Sequence, residues 1–248
     1  MLLHLSSWPE IEDYLTRSRG VVIPIGSTEQ HGPTGLIGTD AICPEVIAKR
    51  AGDGAGFLVG PTFNVGIAQH HLGFPGTITL RPSTMIAAIH DWVSSLARHG
   101  FERVYFFNGH GGNVSTINAA FSEIYADRSL GADGSNRGPV KCKLANWWDY
   151  APVMDFCRAK YGASHGSHAT PSEIAITWSA YPDAIKRATM SPTVAPSGRF
   201  TDAEDYRAKF PDGRIGSDPT LAKAEDGAEL IALAAKGLIE DYRRFLAS

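Results

Sequence analysis

Short apolar runs alternate with amphipathic segments along most of this chain, and that alternation restricts the fold more than any other feature. VVIPI (21–25) and RVYFFN (103–108) read as strands buried on both faces, and VKCKLAN (140–146) reads as a further strand. Two further β-branched, glycine-bounded stretches, GFLVGPTFNVG (56–66) and GTITLRP (76–82), read as strands as well. Between them lie helical patterns. DAICPEVIAKRAG spaces Ile42, Val46 and Ile47 on one face, and STMIAAIHDWVSSLARHG carries apolar residues at 85, 86, 89, 92, 93 and 96 before Gly100. VSTINAAFSEIYADR, MDFCRAKYG, TPSEIAITWSA with Pro171 in its first turn, and AEDGAELIALAAKGLIEDYRRFLA complete the helices. Strand followed by helix in this order predicts an α/β fold with a mainly parallel sheet and helices on both faces. The stretches 129–139 and 192–220, rich in Gly, Pro, Asp and Ser, read as surface loops, and the 248 residues read as one domain.

Composition narrows the function classes. The chain is 43% hydrophobic and 20% charged with a formal net charge of −3, and its basic residues are scattered. This predicts no nucleic-acid partner. No apolar run reaches the ~18 residues a membrane span needs, and the start MLLHLSSWPEIEDYL lacks a basic leader region. Cys43, Cys142 and Cys157 are odd in number and far apart, which predicts buried thiols in a reducing, cytoplasmic setting.

The chemistry concentrates where strands end. PIGSTEQHGPTGLIGTDA (24–41) leaves the first strand and at once presents Glu29, His31 and Asp40. NGHGGN (108–113) leaves another with His110 at its centre. A third segment, SHGSHATPSEIAITW (164–178), adds His165, His168 and Glu173. Taken singly, each is compatible with a solvated loop, since Asn-Gly and Gly-Gly are ordinary turn dipeptides. Taken together, they supply carboxylates and imidazoles from three loops, and ligands gather beyond the carboxyl ends of strands in open α/β sheets. Such a mixed oxygen and nitrogen set suits a centre of two divalent metals bridged by one carboxylate.

GSTEQHGPTGLIGTDA resembles the signature of the creatininase (creatinine amidohydrolase) family, in which Gly-Ser-x-Glu-Gln-His-Gly-Pro precedes a Gly-Thr-Asp. FPGTITL (74–80) and NGHGGN follow in the family's order, and HATPSE (168–173) is similar to a diverged His-Ala-Gly-x-x-Glu-Thr-Ser. The resemblance spans roughly residues 20–180. It implies a three-layer α/β/α sandwich, a homo-oligomer (hexamer), and two divalent ions per chain, zinc first, with manganese or iron as the other choices. It implies that Glu29, Asp40 and His110 hold one ion, while His31 and Asp40 hold the other, Asp40 bridging. In creatininase proper the position of Gly112 is a glutamate that binds the second ion; Glu173 is the candidate replacement here.

The resemblance further implies hydrolysis of a C–N bond in a small-molecule substrate, with a metal-activated water as nucleophile and creatinine to creatine as the type reaction. His168 is placed by motif to protonate the leaving nitrogen, or else to support a ligand from behind. His70 and His71 in GIAQHHLGFPG either line the substrate pocket or sit in a solvated loop. Trp147 and Trp148 either close over substrate, as a tryptophan near here does in creatininase, or belong to an aromatic core. Creatininase has a second covering tryptophan where this chain has Ser164. With Gly112, that departure leaves creatinine as one substrate among several, beside a formamide, a peptide or a sugar-derived ring. A metal-stabilised binding module without turnover is the alternative of a different class.

Overall fold

The computed structural model describes residues 1–131 and 139–248, so most of the loop expected at 129–139 lies outside the described residues. In chain order the elements are α1 (Trp8–Arg17), β1 (Gly20–Ile25), α2 (Thr39–Ala55), α3 (Pro82–Arg98), β2 (Arg103–Asn108), α4 (Val114–Leu130), β3 (Lys141–Asn146), α5 (Ala151–Tyr161), α6 (Pro171–Ala180), α7 (Ala203–Lys209) and α8 (Ala224–Leu246). The strands pair in parallel in the order β1-β2-β3, with Ile25 opposite Asn108 and Asn108 opposite Asn146. Their carboxyl ends are therefore level.

Alternation along the strands divides the core in two. Val21, Ile23, Ile25, Val104 and Phe106 face α3 and α4, meeting Met85, Ile89, Val93 and Ile117. Val22, Tyr105 and Phe107 face the opposite way, onto Ile47 of α2, Val153 of α5 and Leu230 and Leu238 of α8. Helices on both faces of a parallel sheet make the three-layer α/β/α sandwich.

Two expected strands do not form as such. Segment 57–63 runs beside β1 but pairs only at Val22–Val59 and Ile25–Phe63. Pro61, which has no N–H, interrupts the ladder between them. Residues 76–82 keep a single antiparallel bridge, Thr28–Ile78, and are held by side chains: Thr79 Oγ1 accepts from the Ala68 N–H at 2.8 Å. The expected surface loop at 192–220 is corrected more sharply, because it contains α7 and buries Tyr206, Phe210, Arg214 and Ser217. The Arg214 guanidinium donates to the carbonyls of Pro192, Thr193 and Ser217 and pairs with Asp212 at 2.7 Å. A fully buried Arg satisfied this way ties the segment 192–217 together from within.

Close backbone approaches bring α2 to the strand ends. Asp40 lies in the first turn of α2, and Pro44 within that helix removes the N–H that would bond the Asp40 carbonyl. That carbonyl instead packs against Gly26 and Gly109, where any Cβ would collide with it. Asp40 thus sits over the ends of β1 and β2 at once.

Candidate metal centre

Each donor is fixed by its own piece of fold. Asn108, the last residue of β2, accepts from the His110 N–H at 3.1 Å and donates to the His110 carbonyl at 2.6 Å. Asn113 ties the same loop to β1 through the Gly26 carbonyl at 2.9 Å. Glu173 is the third residue of α6 and closes a capping box: its Oε1 accepts from the Thr170 N–H at 2.6 Å. Just before it, Ala169 takes a left-handed conformation with φ of 52°, costly for a residue with a Cβ, and turns the chain between His168 and the helix.

These elements bring the candidate ligands together in the interior. Donor atoms of Glu29, Asp40 and His110 all lie within 4.8 Å of one another, as do those of His31, Asp40 and Glu173. Asp40 belongs to both sets. Glu29, His31 and His168 form a third such set, which reuses donors of the first two. His31 Nε2 is 2.9 Å from Asp40 Oδ1, and His110 Nδ1 is 2.8 Å from Asp40 Oδ2. The remaining nitrogen of each ring meets a backbone carbonyl, His31 Nδ1 that of Glu29 at 3.0 Å and His110 Nε2 that of Ile67 at 2.8 Å. That second bond is the usual way a ligating imidazole is oriented.

The donor set fits cations. Glu29 Oε1 and Asp40 Oδ2 are buried and accept no aligned hydrogen bond among the described residues, although imidazole nitrogens stand 3.1 and 2.8 Å away. Nitrogen and oxygen that face each other without alignment leave room for a shared positive centre. The electrostatics agree. Burial opposes a charged His31, but Asp40 outweighs it and raises the ring to about 10. His110 is raised to about 9 by Glu29 and Asp40 against the same opposition. Burial raises Glu29, and it raises Glu173 to about 7. Asp40 goes the other way: its burial is overcome by His31 and His110, which hold it well below the carboxylate range. Three carboxylates in one buried site thus hold protons on imidazoles where divalent cations would serve.

A cavity of about 370 Å³ opens onto the cluster, lined by Asp40, His110, Trp147, Trp148, His168 and Glu173 among others. His70 and His71 do not line it. They lie buried behind the carboxylates: His71 Nε2 is 3.1 Å from Glu29 Oε1, and His70 stacks on Phe200. Burial lowers His70 to about 4 and His71 to about 3, so both are neutral. His165 bonds Ser172 at 2.7 Å, away from the cluster. His168 Nε2 meets the Gln30 carbonyl at 2.8 Å, leaving Nδ1 facing Glu29 at 3.8 Å.

Gln30 was not among the expected site residues, yet it organises them. Its amide nitrogen lies 2.8 Å from His71 Nδ1, 3.0 Å from His168 Nε2 and 2.9 Å from the Gly213 carbonyl. Its place between Glu29 and His31 was the available signal. Tyr206, which donates to the same Gly213 carbonyl at 2.7 Å, was hidden in the stretch read as a surface loop.

Comparison with known proteins places the chain. It is 26% identical to a creatinine amidohydrolase of Pseudomonas putida, over 96% of this chain and 94% of that one. It is also 26% identical to a mycofactocin precursor peptide peptidase of Mycolicibacterium smegmatis, over 91% and 85%. The solved structure "Creatininase Mn" superposes with a TM-score of 0.85 at 22% identity, covering 100% of this chain and 99% of that one. The family profile Creatininase, described as creatinine amidohydrolase, matches residues 4–242. The chain belongs to the creatininase family.

Proposed function

We propose that this creatininase-family hydrolase cleaves a C–N bond of a small cyclic amide or formamide, with Glu29, Asp40 and His110 holding one divalent ion and His31, Asp40 and Glu173 the other. The observation that carries the reading is the pair of donor sets sharing the buried Asp40 beneath one cavity. Zinc is the first choice, since two carboxylates and imidazoles suit it, and manganese or iron accept the same donors. Related structures are described as a manganese form and a zinc–zinc type.

When bound, the ions supply Lewis acidity and a water of lowered pKa. The chain's own residues do the rest. Asp40 keeps both its oxygens committed to the cluster. Burial, followed by repulsion from His31, keeps His168 neutral. With Nε2 engaged by the Gln30 carbonyl, its Nδ1 is the nitrogen left to relay a proton to the leaving nitrogen. Gln30 keeps that ring in place through its carbonyl. Trp147 and Trp148 wall the cavity and exclude water from the carbonyl under attack. The reading includes a homo-oligomer, the hexamer, which sedimentation tests.

The test is reconstitution with zinc or manganese and assay against creatinine, other cyclic amides and formamides. Turnover that chelation abolishes and added metal restores supports the reading. A fully metal-loaded protein inert towards every amide favours a binding module instead.

A further inference from the structure

Two cavities meet at one imidazole. His165 lines the cavity over the cluster and also a second one of about 280 Å³ on the far side of Trp148. Its ring is held from two sides, by a near-parallel stack on Tyr161 and by Nε2 at 2.7 Å from Ser172 Oγ. Nδ1 has no partner among the described residues, yet it is not shut off from solvent. His165 belongs to neither donor set of the metal centre, so this nitrogen is free for another task.

Counting protons fixes what that nitrogen offers. Ser172 Oγ lies 3.0 Å from Thr170 Oγ1, which already accepts from the Glu173 N–H at 3.3 Å. Each hydroxyl has one proton to give. If Ser172 gave its proton to Thr170, the Thr170 proton would be left without an acceptor in a buried place, which is costly. The satisfied arrangement runs the other way: Thr170 donates to Ser172, and Ser172 donates to His165 Nε2. The Cys157 thiol beside Ser172 does not compete for that proton. Burial pushes it up to about 11, and a neutral thiol is a weak acceptor. Burial also lowers His165 and so keeps it neutral at pH 7. A neutral imidazole that accepts at Nε2 carries its proton on Nδ1.

We infer that His165 presents its Nδ1–H to the cavity as a specificity-determining donor, and that the substrate is a cyclic amide carrying a second ring carbonyl to meet it. No Lys or Arg lines the first cavity among the described residues, so the complement is a neutral oxygen and not a carboxylate. This rests on the hydrolytic reading of the cluster. Water adds its hydroxyl to the scissile carbonyl carbon and its proton to the ring nitrogen. The ring opens, the second carbonyl is unchanged, and no further reactant is needed.

The test separates recognition from turnover. Cyclohexane-1,4-dione and cyclohexanone are neutral rings that differ by one carbonyl and hold no C–N bond to cleave. Their dissociation constants for the zinc-loaded full-length protein therefore read binding alone. The dione should bind about fivefold tighter, the usual worth of one hydrogen bond. His165→Phe, which keeps a ring against Tyr161 but has no N–H, should erase the difference. His165→Asn, which keeps an N–H near the place of Nδ1, should retain most of it. The KM for N-methylsuccinimide should likewise rise about fivefold in His165→Phe and by less in His165→Asn. Equal binding of the two rings by the unaltered protein overturns the assignment, as does a preference that survives His165→Phe. Loss of the preference in both variants alike assigns His165 to packing and overturns it too. The expected binding pattern without turnover of any cyclic amide or imide would leave the donor standing and reject the hydrolytic reading.

Discussion

A Cβ placed on Gly112 would collide with His110 Nε2 and lie 2.8 Å from the Ile67 carbonyl that orients this ring. The loop after β2 therefore has no room for the glutamate that the family resemblance implies at this position. Gly112→Glu should not add a ligand. It should displace His110, reduce bound metal and destabilise the fold by about 1–3 kcal/mol, as overpacking does. Elemental analysis with thermal denaturation checks this, and a variant with intact metal content would contradict it.

Glu173 makes a capping-box bond and stands within the His31–Asp40 set, so its two roles must be separated. Glu173→Gln retains an acceptor for the Thr170 N–H and should cost at most about 1 kcal/mol of stability. It should nevertheless empty one of two metal sites and lower activity by at least about tenfold. Loss of both metals, or of neither, would reject the assignment.

Asp40 touches both imidazoles and belongs to both proposed ion sites, whereas His31 belongs to one of those two sites. Asp40→Asn should therefore lose more metal than His31→Ala. Metal-to-protein ratios measured without chelators decide the order.

Protons on His31 and His110 define a pH test. Their folded pKa values, about 10 and about 9, lie above the ordinary imidazole value, so the metal-free fold gains from them below pH ~6.5. That gain is lost as pH rises through 9 and 10. Glu173, raised to about 7, acts in the same direction, its gain fading as pH rises from ~4.5 through 7. Lowered His71 and His168 oppose this, losing stability as pH falls below ~6.5. The metal-free protein should thus melt at progressively lower temperature from pH 7 to 10. The loaded protein should fall less over the same range, since the raised thiols of Cys142 and Cys157 weaken both forms above pH ~9. Calorimetry at pH 8 in buffers of different ionisation enthalpy should show proton release on metal binding.

The first two strands were legible because burial on both faces leaves continuous apolar runs, as Val21–Ile23 and Val104–Phe107 do. Most helices were legible because burial on one face leaves a period in the sequence. The loops at Glu29–Asp40 and His110 were legible because titratable side chains are conspicuous among glycines. What stayed hidden has no period. Segment 57–63 is β-rich yet broken by Pro61, and Tyr206 and Arg214 are buried by tertiary hydrogen bonds that local polarity conceals. His70 and His71 read as pocket residues, but Phe200 and Gln30, distant in the first case and uncharged in the second, hold them behind the carboxylates.

Anomalous diffraction from crystals of the zinc-loaded protein tests the central claim most directly. The account predicts two peaks about 3.5–4 Å apart. One should lie among Glu29, Asp40 and His110, the other among His31, Asp40 and Glu173, with Asp40 between them. Zinc-replete crystals with no peak at Asp40, or with Glu173 turned away from an occupied second site, would contradict it.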